Sequence, residues 1–511
     1  MPRPPTAEAE VAAELSAVRP ALGPRFTAAL PGARAAVLTR LWRALAHDPL
    51  PWITRREAGG ECLTLHLADG RRLHGPPADP YATTAYVTEV RLDASAYDDA
   101  ARLMTDLAVP HGTDFAAELG HSAASLALSR AAQEPPSAKW PARDWEWEQR
   151  VVDGHPYHPN CRSRPGFSVA DQLAYGPEHR PVVGLRLLPV PAGECLVSGT
   201  WPVELRDGER LLIPVHPWQA AHVLKRSGLE GPGAHPLMSL RTLALPDGSH
   251  VKTALSARLT SSVRDISVGS VAASAALSDF AQRLAGHTDG LLHFTRTFGA
   301  VTADSPDLAA VLRESPAVYA GPGEQVVPVA ALATTGLPES PSWTAEFARL
   351  ALTVGLRLLE AGVALEAHGQ NLLVVLSASG APLRLVYRDL ADIRVGPSRL
   401  AGRGIPLPDD LPARIRTDDV TALRRKLFGS LVAGALAGTT GSGTALGAAL
   451  GAVVPQLPRT PDLVALCEEP VPAKALTLMR LSPGAPGDQW ALLPNPLSGH
   501  GGRPRFVAGH P

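Results

Sequence analysis

The fold of this chain is decided at Gly154-His155-Pro156-Tyr157-His158-Pro159-Asn160-Cys161-Arg162-Ser163-Arg164-Pro165-Gly166-Phe167. A proline disfavours the α region for the residue before it, so His155 and His158 stand on extended backbone. Paired in that way, they do not form the helical i,i+3 face of a metal site. Arg162 and Arg164 alternate. On an extended strand both guanidinia point one way and could hold a polyphosphate. Taken alone, the stretch reads equally well as a rigid surface loop with scattered charge.

Downstream, Ile213-Pro214-Val215-His216-Pro217-Trp218-Gln219 is a third His-Pro step ending an apolar strand, which by itself is a structural corner. Then comes Lys252-Thr253-Ala254-Leu255-Ser256-Ala257-Arg258-Leu259-Thr260-Ser261-Ser262-Val263-Arg264. Lys252, Ser256, Arg258 and Thr260 share one face if the segment is extended, and Arg264 opens the next turn or helix. Guanidinium forks and hydroxyls match carboxylate and phosphate oxygens; the plainer reading is an amphipathic edge strand. Further on, Glu366-Ala367-His368-Gly369-Gln370-Asn371 precedes a hairpin that ends in Tyr387-Arg388-Asp389. Glu366, Asn371 and Asp389 offer the hard oxygens that Mg2+ prefers, as in the Mg-nucleotide corner of kinase-like enzymes. A small-molecule kinase also needs an aspartate near this histidine to accept the hydroxyl proton. Gly369-Gln370 stands there instead.

Around these motifs the chain reads as mixed α/β. The first 45 residues are alanine-rich helices, 61–75 a hairpin turning at Ala68-Asp69-Gly70, and Asp114 to Ala132 a helix with Asp114 as N-cap. The Pro-rich piece Glu134 to Pro141 and the Pro/Gly-rich stretch Gly321 to Pro341 mark boundaries, giving regions 1–140, 141–342 and 343–511. Residues 180–270 are strand-rich. A long helix runs from about Thr344 to Ala361 and stops at Gly362. The uncharged stretch Phe428 to Pro458 is interrupted by Gly438-Thr439-Thr440-Gly441-Ser442-Gly443, so it reads as two buried helices joined by a turn rather than a membrane span. From Ser498 the chain is a Gly/Pro-rich tail.

Bulk composition narrows the function classes. With 48 basic and 49 acidic residues, no global field draws the chain to nucleic acid or a membrane. Cys62, Cys161, Cys195 and Cys467 lie far apart, with no zinc spacing or disulfide framework. No apolar h-region follows Met1-Pro2-Arg3-Pro4-Pro5, and the expected setting is reducing and cytoplasmic. Only five of the 48 basic residues are lysine, as GC-rich coding DNA would produce, so a retained lysine carries weight. Two of the five, Lys252 and Lys474, fall inside motifs. Gly438 to Gly443 lacks a Gly-Lys-Ser/Thr ending and is no P-loop, and no Gly-x-Ser-x-Gly elbow is present.

In this order, the four segments resemble the IucA/IucC family, the aerobactin-type synthetases that build siderophores without a peptide-synthetase template. His155 to Gly166 is similar to the family's His-Pro-x-His-Pro run, with Arg162 where lysine is frequent. The resemblance extends to His216 to Gln219, to Lys252 with Thr260 and Arg264, and to Glu366 to Asn371 with Arg388-Asp389. Lys474 to Arg480, Asn495 to Leu497, and Glu118-Leu119 with Ser122 also fit. It covers roughly residues 115 to 500; the first 110 match loosely, and the chain is shorter than most members.

What the resemblance implies is a hand-like fold with thumb, fingers and a kinase-like palm around an ATP cleft. A carboxylate and ATP give an acyl-adenylate, which an amine or alcohol then attacks. By position, His155, Arg162, Arg164 and Lys252 would contact phosphates, and Ser256, Arg258, Gln370 and Asn371 would line the nucleotide pocket. Thr260, Arg264 and His368 would orient the carboxylate, while Glu366, Asn371 and Asp389 would hold Mg2+. The implied partners are a citrate-like acid (citrate, a citrate monoamide or 2-oxoglutarate) and a small acceptor, with a homodimer allowed. Three alternatives stay open: a ligase of the same family outside iron acquisition, a small-molecule kinase, and a non-catalytic citrate- or siderophore-binding protein.

Overall fold

Residues 6–134, 139–260 and 262–498 are described by the computed structural model of the chain. Expectations that fall on Met1–Pro5, on 135–138 within the Pro-rich boundary, on Ser261 and on the tail past Ser498 lie outside the described residues.

The alanine-rich start forms two helices, Ala7–Val18 and Gly23–His47. Thr6 caps the first, its hydroxyl accepting from Ala9 N at 3.2 Å. From Ala36 to Ala46 every residue of the second helix is buried, because it runs between other helices and a five-stranded antiparallel meander, Ile53–Gly59 to Ser95–Tyr97. The 61–75 hairpin is the centre of that meander, with Leu65 opposite Leu73. Helix Gly112–Ala131 packs alongside. It begins two residues before the expected N-cap: His111 precedes it in a left-handed conformation (φ 59°), and Asp114 lies in the first turn, where its charge meets the positive end of the helix dipole. The core of this layer also takes in Cys161, Val169 and Leu481, so both the His-Pro segment and a C-terminal helix are anchored in it.

Asp48 ends the long helix, and its carboxylate accepts from Thr477 N (3.0 Å) and Leu478 N (3.2 Å) of helix Leu476–Leu481. Burial pushes its pKa up to about 6, with Arg43 and Arg56 opposing. The native state therefore keeps a proton that the unfolded chain releases near its ordinary value of about 3.9. Stability falls as pH rises through that window, and the deficit persists above it. Asp48→Asn keeps an acceptor and does not titrate. Urea denaturation is expected to find it more stable than the parent by on the order of 1–3 kcal/mol at pH 7.5 and no more stable at pH 3.5. A variant less stable at pH 7.5 would refute this account.

The strand-rich region forms a nine-stranded antiparallel sheet. Strand His250–Thr253 lies inside it, between Thr242–Ala244 and Ala309–Arg313, with His250 opposite Arg313 and Lys252 opposite Thr242. A third sheet of four strands runs Leu292–Phe294, Pro382–Tyr387, Leu372–Leu376, Gln325–Pro328. The boundary expected at 342 therefore does not separate two sheets: Leu292–Phe294 and Gln325–Pro328 reach forward to pair with the hairpin. Helix Pro341–Glu360 packs on this sheet, starting earlier than expected because Ser340 caps it ahead of a proline at the first turn. Gly362 (φ 94°) ends it, where a Cβ would come within 2.7 Å of Gly396 O. Helices Val420–Ser430, Ala437–Thr440 and Gly443–Val453 follow, with Gly441 (φ 79°) making the turn. Among the described residues no helix is long and apolar enough to cross a membrane.

Candidate functional site

Lys252, Arg241, Arg264 and Arg313 gather around one carboxylate, Asp389. Lys252 Nζ donates to Asp389 Oδ2 at 2.7 Å. Arg241, Arg264 and Arg313 lie within its electrostatic reach. Sheet register puts them there: Arg313 closes its strand opposite His250, and Arg241 immediately precedes Thr242. Arg241 also donates to Arg264 O (2.5 Å) and Asp265 O (2.7 Å), tying the hairpin Leu255–Leu259/Ser262–Arg264 to the sheet. Burial lowers the Lys252 ammonium to about 8, with Asp389 opposing and Arg241 and Arg313 reinforcing. Burial alone would raise Asp389, but Lys252 and Arg313 hold it far below the usual carboxylate range. Asp265 also lies within reach of Arg241, Glu366 and Asp392 of Arg264, and Glu148 of Arg313. The fixed guanidinium forks and the ammonium suit an anion with several oxygens.

A second charge cluster adjoins. Glu366 Oε1 accepts from Lys426 (3.0 Å) and Lys474 (2.9 Å), and Lys474 also meets Asp488 at 3.2 Å. Burial opposes ionisation of Glu366, yet Lys474 and Lys426 bring it down to about 2. Glu366 N donates to the Tyr387 hydroxyl at 3.2 Å, which donates to Asp389 O at 3.4 Å, so the two acids are braced through one phenol. His368 is neutral, its pKa lowered by burial; Nδ1 accepts from Gln370 N at 3.2 Å, leaving Nε2–H as donor. Asn371 N donates to His368 O (3.0 Å) and its amide nitrogen reaches Glu366 O at 3.4 Å. Gln370 O accepts twice from Arg388, at 3.0 and 2.8 Å.

The three His-Pro steps share one local device. His155 Nδ1 accepts from Tyr157 N and His158 N (both 3.1 Å), His158 Nδ1 from Asn160 N (3.0 Å) and His216 Nδ1 from Trp218 N (3.2 Å). Each ring caps the turn that its proline begins. Burial keeps all three neutral, His158 and His216 near 3 and His155 well below its ordinary value. His155 lies within reach of His368, and His158 within reach of Arg264 and Arg480.

Not every sequence candidate joins them. Arg162 and Arg164 do point one way, but from a turn rather than an extended strand, and toward the buried Glu178. Arg164 meets it at 2.8 and 2.9 Å and Arg162 at 3.5 Å, while Arg162 also donates to Val152 O at 2.7 Å. Two guanidiniums this deeply buried require a charge partner, and Glu178 supplies it. Ser256 and Arg258 keep the expected alternation, since Leu255, Ala257 and Leu259 pack on Phe167 and Trp218. The break at Ala254, however, moves them out of the Lys252 sheet. Ser256 donates to the Asp307 carboxylate and receives Gln219 Nε2 at 3.0 Å, and Arg258 is exposed. Thr260 turns the hairpin at φ 59°, strained for a β-branched residue.

Sequence reasoning passed over Lys426, Arg241, Arg313 and Glu148. The scarcity of lysine could have flagged the first, since three of the chain's five lysines now meet the two acids. The arginines enter through sheet register, which no local pattern announces. Among the described residues no three His, Cys, Asp or Glu side chains converge to hold a metal. Glu366, Asn371 and Asp389 carry hard oxygen donors of the type magnesium prefers, and both carboxylates are held by lysines, Glu366 by Lys426 and Lys474 and Asp389 by Lys252.

Residues 144–334 match a model described as the IucA / IucC family, and residues 341–488 one described as ferric iron reductase FhuF-like transporter. The resemblance read from the motifs is borne out. The chain is 27% identical over 312 residues to a citryl-spermidine/3,4-dihydroxybenzoyl-citryl-spermidine:spermidine ligase of Bacillus anthracis, covering 48% of this chain and 50% of that protein. It is also 27% identical over 321 residues to the rhizobactin siderophore biosynthesis protein RhbC of Rhizobium meliloti, covering 47% and 53%. The chain thus spans about half the length of the curated relatives it matches. Among solved structures, petrobactin biosynthesis protein AsbB of Bacillus anthracis superposes with a TM-score of 0.74 at 18% identity, over 93% of this chain and 98% of that one. ATP-bound aerobactin synthetase IucA of Klebsiella pneumoniae gives 0.66 at 19%, over 91% and 99%. These similarities show the mixed α/β fold.

Proposed function

We propose that this protein is an ATP-dependent ligase of siderophore biosynthesis, which adenylates a carboxylate of citrate or a close analogue and joins it to an amine or alcohol. The observation that carries the reading is the set of four cations, Lys252, Arg241, Arg264 and Arg313, that share the carboxylate of Asp389. The three layers would act as thumb, fingers and kinase-like palm. The four cysteines are free thiols, which suits a cytoplasmic setting.

The chemistry sets two anions against each other. A carboxylate oxygen attacks the α-phosphorus, pyrophosphate leaves, and charge grows on the nonbridging oxygens. In the second step the acceptor nitrogen or oxygen attacks the acyl carbon, AMP leaves, and the acceptor loses a proton. Lys252 and the three arginines are fixed before the reaction, so they need no reorganisation to stabilise that charge. Thr260, Arg264 and the His368 Nε2–H orient the carboxylate, and His155 lies beside His368 to bound the nucleotide. Glu366, Asn371 and Asp389 would hold Mg2+, which would supply further neutralisation of phosphate charge. Arg162 and Arg164 serve the loop rather than the phosphates.

ATP–pyrophosphate exchange with Mg2+ and a panel of citrate, 2-oxoglutarate, succinate and citrate monoamides tests the reading. Exchange dependent on one acid is the expected outcome. ADP formation would favour a kinase, for which the Glu366–Asn371–Asp389 corner is also suited, and absence of ATP binding would remove the enzyme reading.

A further inference from the structure

Glu118 stands on helix Gly112–Ala131 and bridges two distant segments of the site. Its Oε2 accepts from Asn160 Nδ2 (2.5 Å) and from Arg480 Nε (2.8 Å), and its Oε1 accepts from Arg480 Nη2 (2.5 Å). Asn160 belongs to the His-Pro loop, two residues after His158. Arg480 belongs to the helix that follows Lys474, the partner of Glu366. Both side chains of the ion pair are mostly buried, with 15% of Glu118 and 13% of Arg480 exposed.

The same helix face holds the loop at two further points. Ser122, one turn on, donates to Pro159 O at 2.9 Å and accepts from Arg162 N at 3.2 Å, while His121 Nδ1 accepts from Arg164 N at 3.2 Å. These contacts fix the loop to the helix, but neither reaches the C-terminal segment. Of the three, Glu118 alone ties both segments together, and His158 lies within electrostatic reach of Arg264 and Arg480 on that side.

We propose that Glu118 is a positioning residue: by bonding Asn160 and Arg480 at once, it sets the gap between the His155–His158 loop and the Lys474–Glu366 side of the nucleotide site. This rests on the ATP-dependent reading above. The mechanism is geometric. A bidentate carboxylate–guanidinium pair has little angular freedom, so the loop and the C-terminal helix move as one body while it is intact. Without the negative charge, Asn160 and Arg480 lose their shared anchor. The loop keeps Arg40, which donates to His155 O (3.1 Å) and Pro156 O (3.0 Å), and the C-terminal helix keeps Asp48, but the direct bridge between Asn160 and Arg480 is gone.

Glu118→Gln keeps the volume and removes the charge. Calorimetric titration with ATP is expected to show Kd weakened at least tenfold, KM for ATP raised by a similar factor, kcat within about threefold of the parent, and a melting temperature within a few degrees. Arg480→Gln breaks the bridge from the other side and carries the same expectation if Glu118→Gln fails to fold. Adding Arg480→Gln to Glu118→Gln is expected to cost little more than either alone. A purely structural role would lower melting temperature and active fraction and leave ATP Kd and KM of the folded protein unmoved; that result overturns the inference. Parental protein that binds no ATP would overturn the functional reading beneath it, whereas parental binding matched by both variants overturns this inference alone.

Discussion

Arg264→Ala is expected to reduce carboxylate-dependent ATP–pyrophosphate exchange by about 10²- to 10³-fold, with the thermal transition left in place. Losing one preorganised donor at developing oxyanion charge has a typical cost of that size, about 2.7–4 kcal/mol of barrier. Arg264 is the candidate for so large an effect because of where its charge is spent. Its side chain donates to Leu259 O at 3.3 Å, a long bond, while Asp389, Glu366 and Asp392 act on it from a distance. Burial lowers its pKa, and those acids keep it cationic. It also lies within reach of both acid clusters and of His158, so a carboxylate and a phosphate could be held on either edge of one fork. The fold asks little of it, since the hairpin is tied to the sheet through Arg264 O rather than through its guanidinium. Arg264→Lys keeps the charge without the fork and should fall between parent and alanine. Exchange at the parental rate in Arg264→Ala, with melting unchanged, would remove Arg264 from the site and weaken the adenylation reading with it.

Local chemistry was legible in the sequence, and long-range register was not. The His-Pro steps could be read as non-helical because proline acts on its neighbour, and the histidine ring then caps the following turn. Alternation in Leu255–Leu259 correctly divided a buried from an outward face. It failed only where Ala254 ends one sheet, so that Lys252 faces Asp389 while Ser256 faces Asp307. Arg162 and Arg164 show the limit of pattern reading most plainly. Two alternating arginines look the same in sequence whether the anion they meet is a ligand or the protein's own carboxylate. Glu178 decides the matter from 14 residues beyond Arg164, in a short turn with no motif of its own. Likewise Arg241 and Arg313 reach Asp389 only because three strands align, and nothing near either residue announces that.

The largest stability effect is expected at Arg388, next to Asp389 but turned away from it. Its guanidinium meets Glu148 at 2.5 Å and donates twice to Gln370 O, while the other Glu148 oxygen accepts from Met238 N at 3.0 Å. Arg388 is 4% exposed and Glu148 2%. Removing Arg388 takes away the bonded partner of a deeply buried carboxylate and leaves it only Arg313 at electrostatic range; breaking such a pair costs about 3–5 kcal/mol. Arg388→Leu should therefore lose about that much in urea denaturation at neutral pH. It should lose activity too, because Gln370 is one peptide from Asn371 and two from His368, and its carbonyl would be left without its donors. Joint replacement, Arg388→Leu with Glu148→Leu, removes the stranded carboxylate and should recover most of the stability while leaving activity low. The double-mutant cycle separates the two roles of the pair: a coupling energy of several kcal/mol identifies the penalty as an unpaired buried charge. The activity that fails to return measures how far Arg388 holds the His368–Asn371 turn in place. A loss below about 1 kcal/mol in Arg388→Leu would mean that Arg313 or water compensates the Glu148 charge in full, contrary to the assignment of Arg388 as its essential partner.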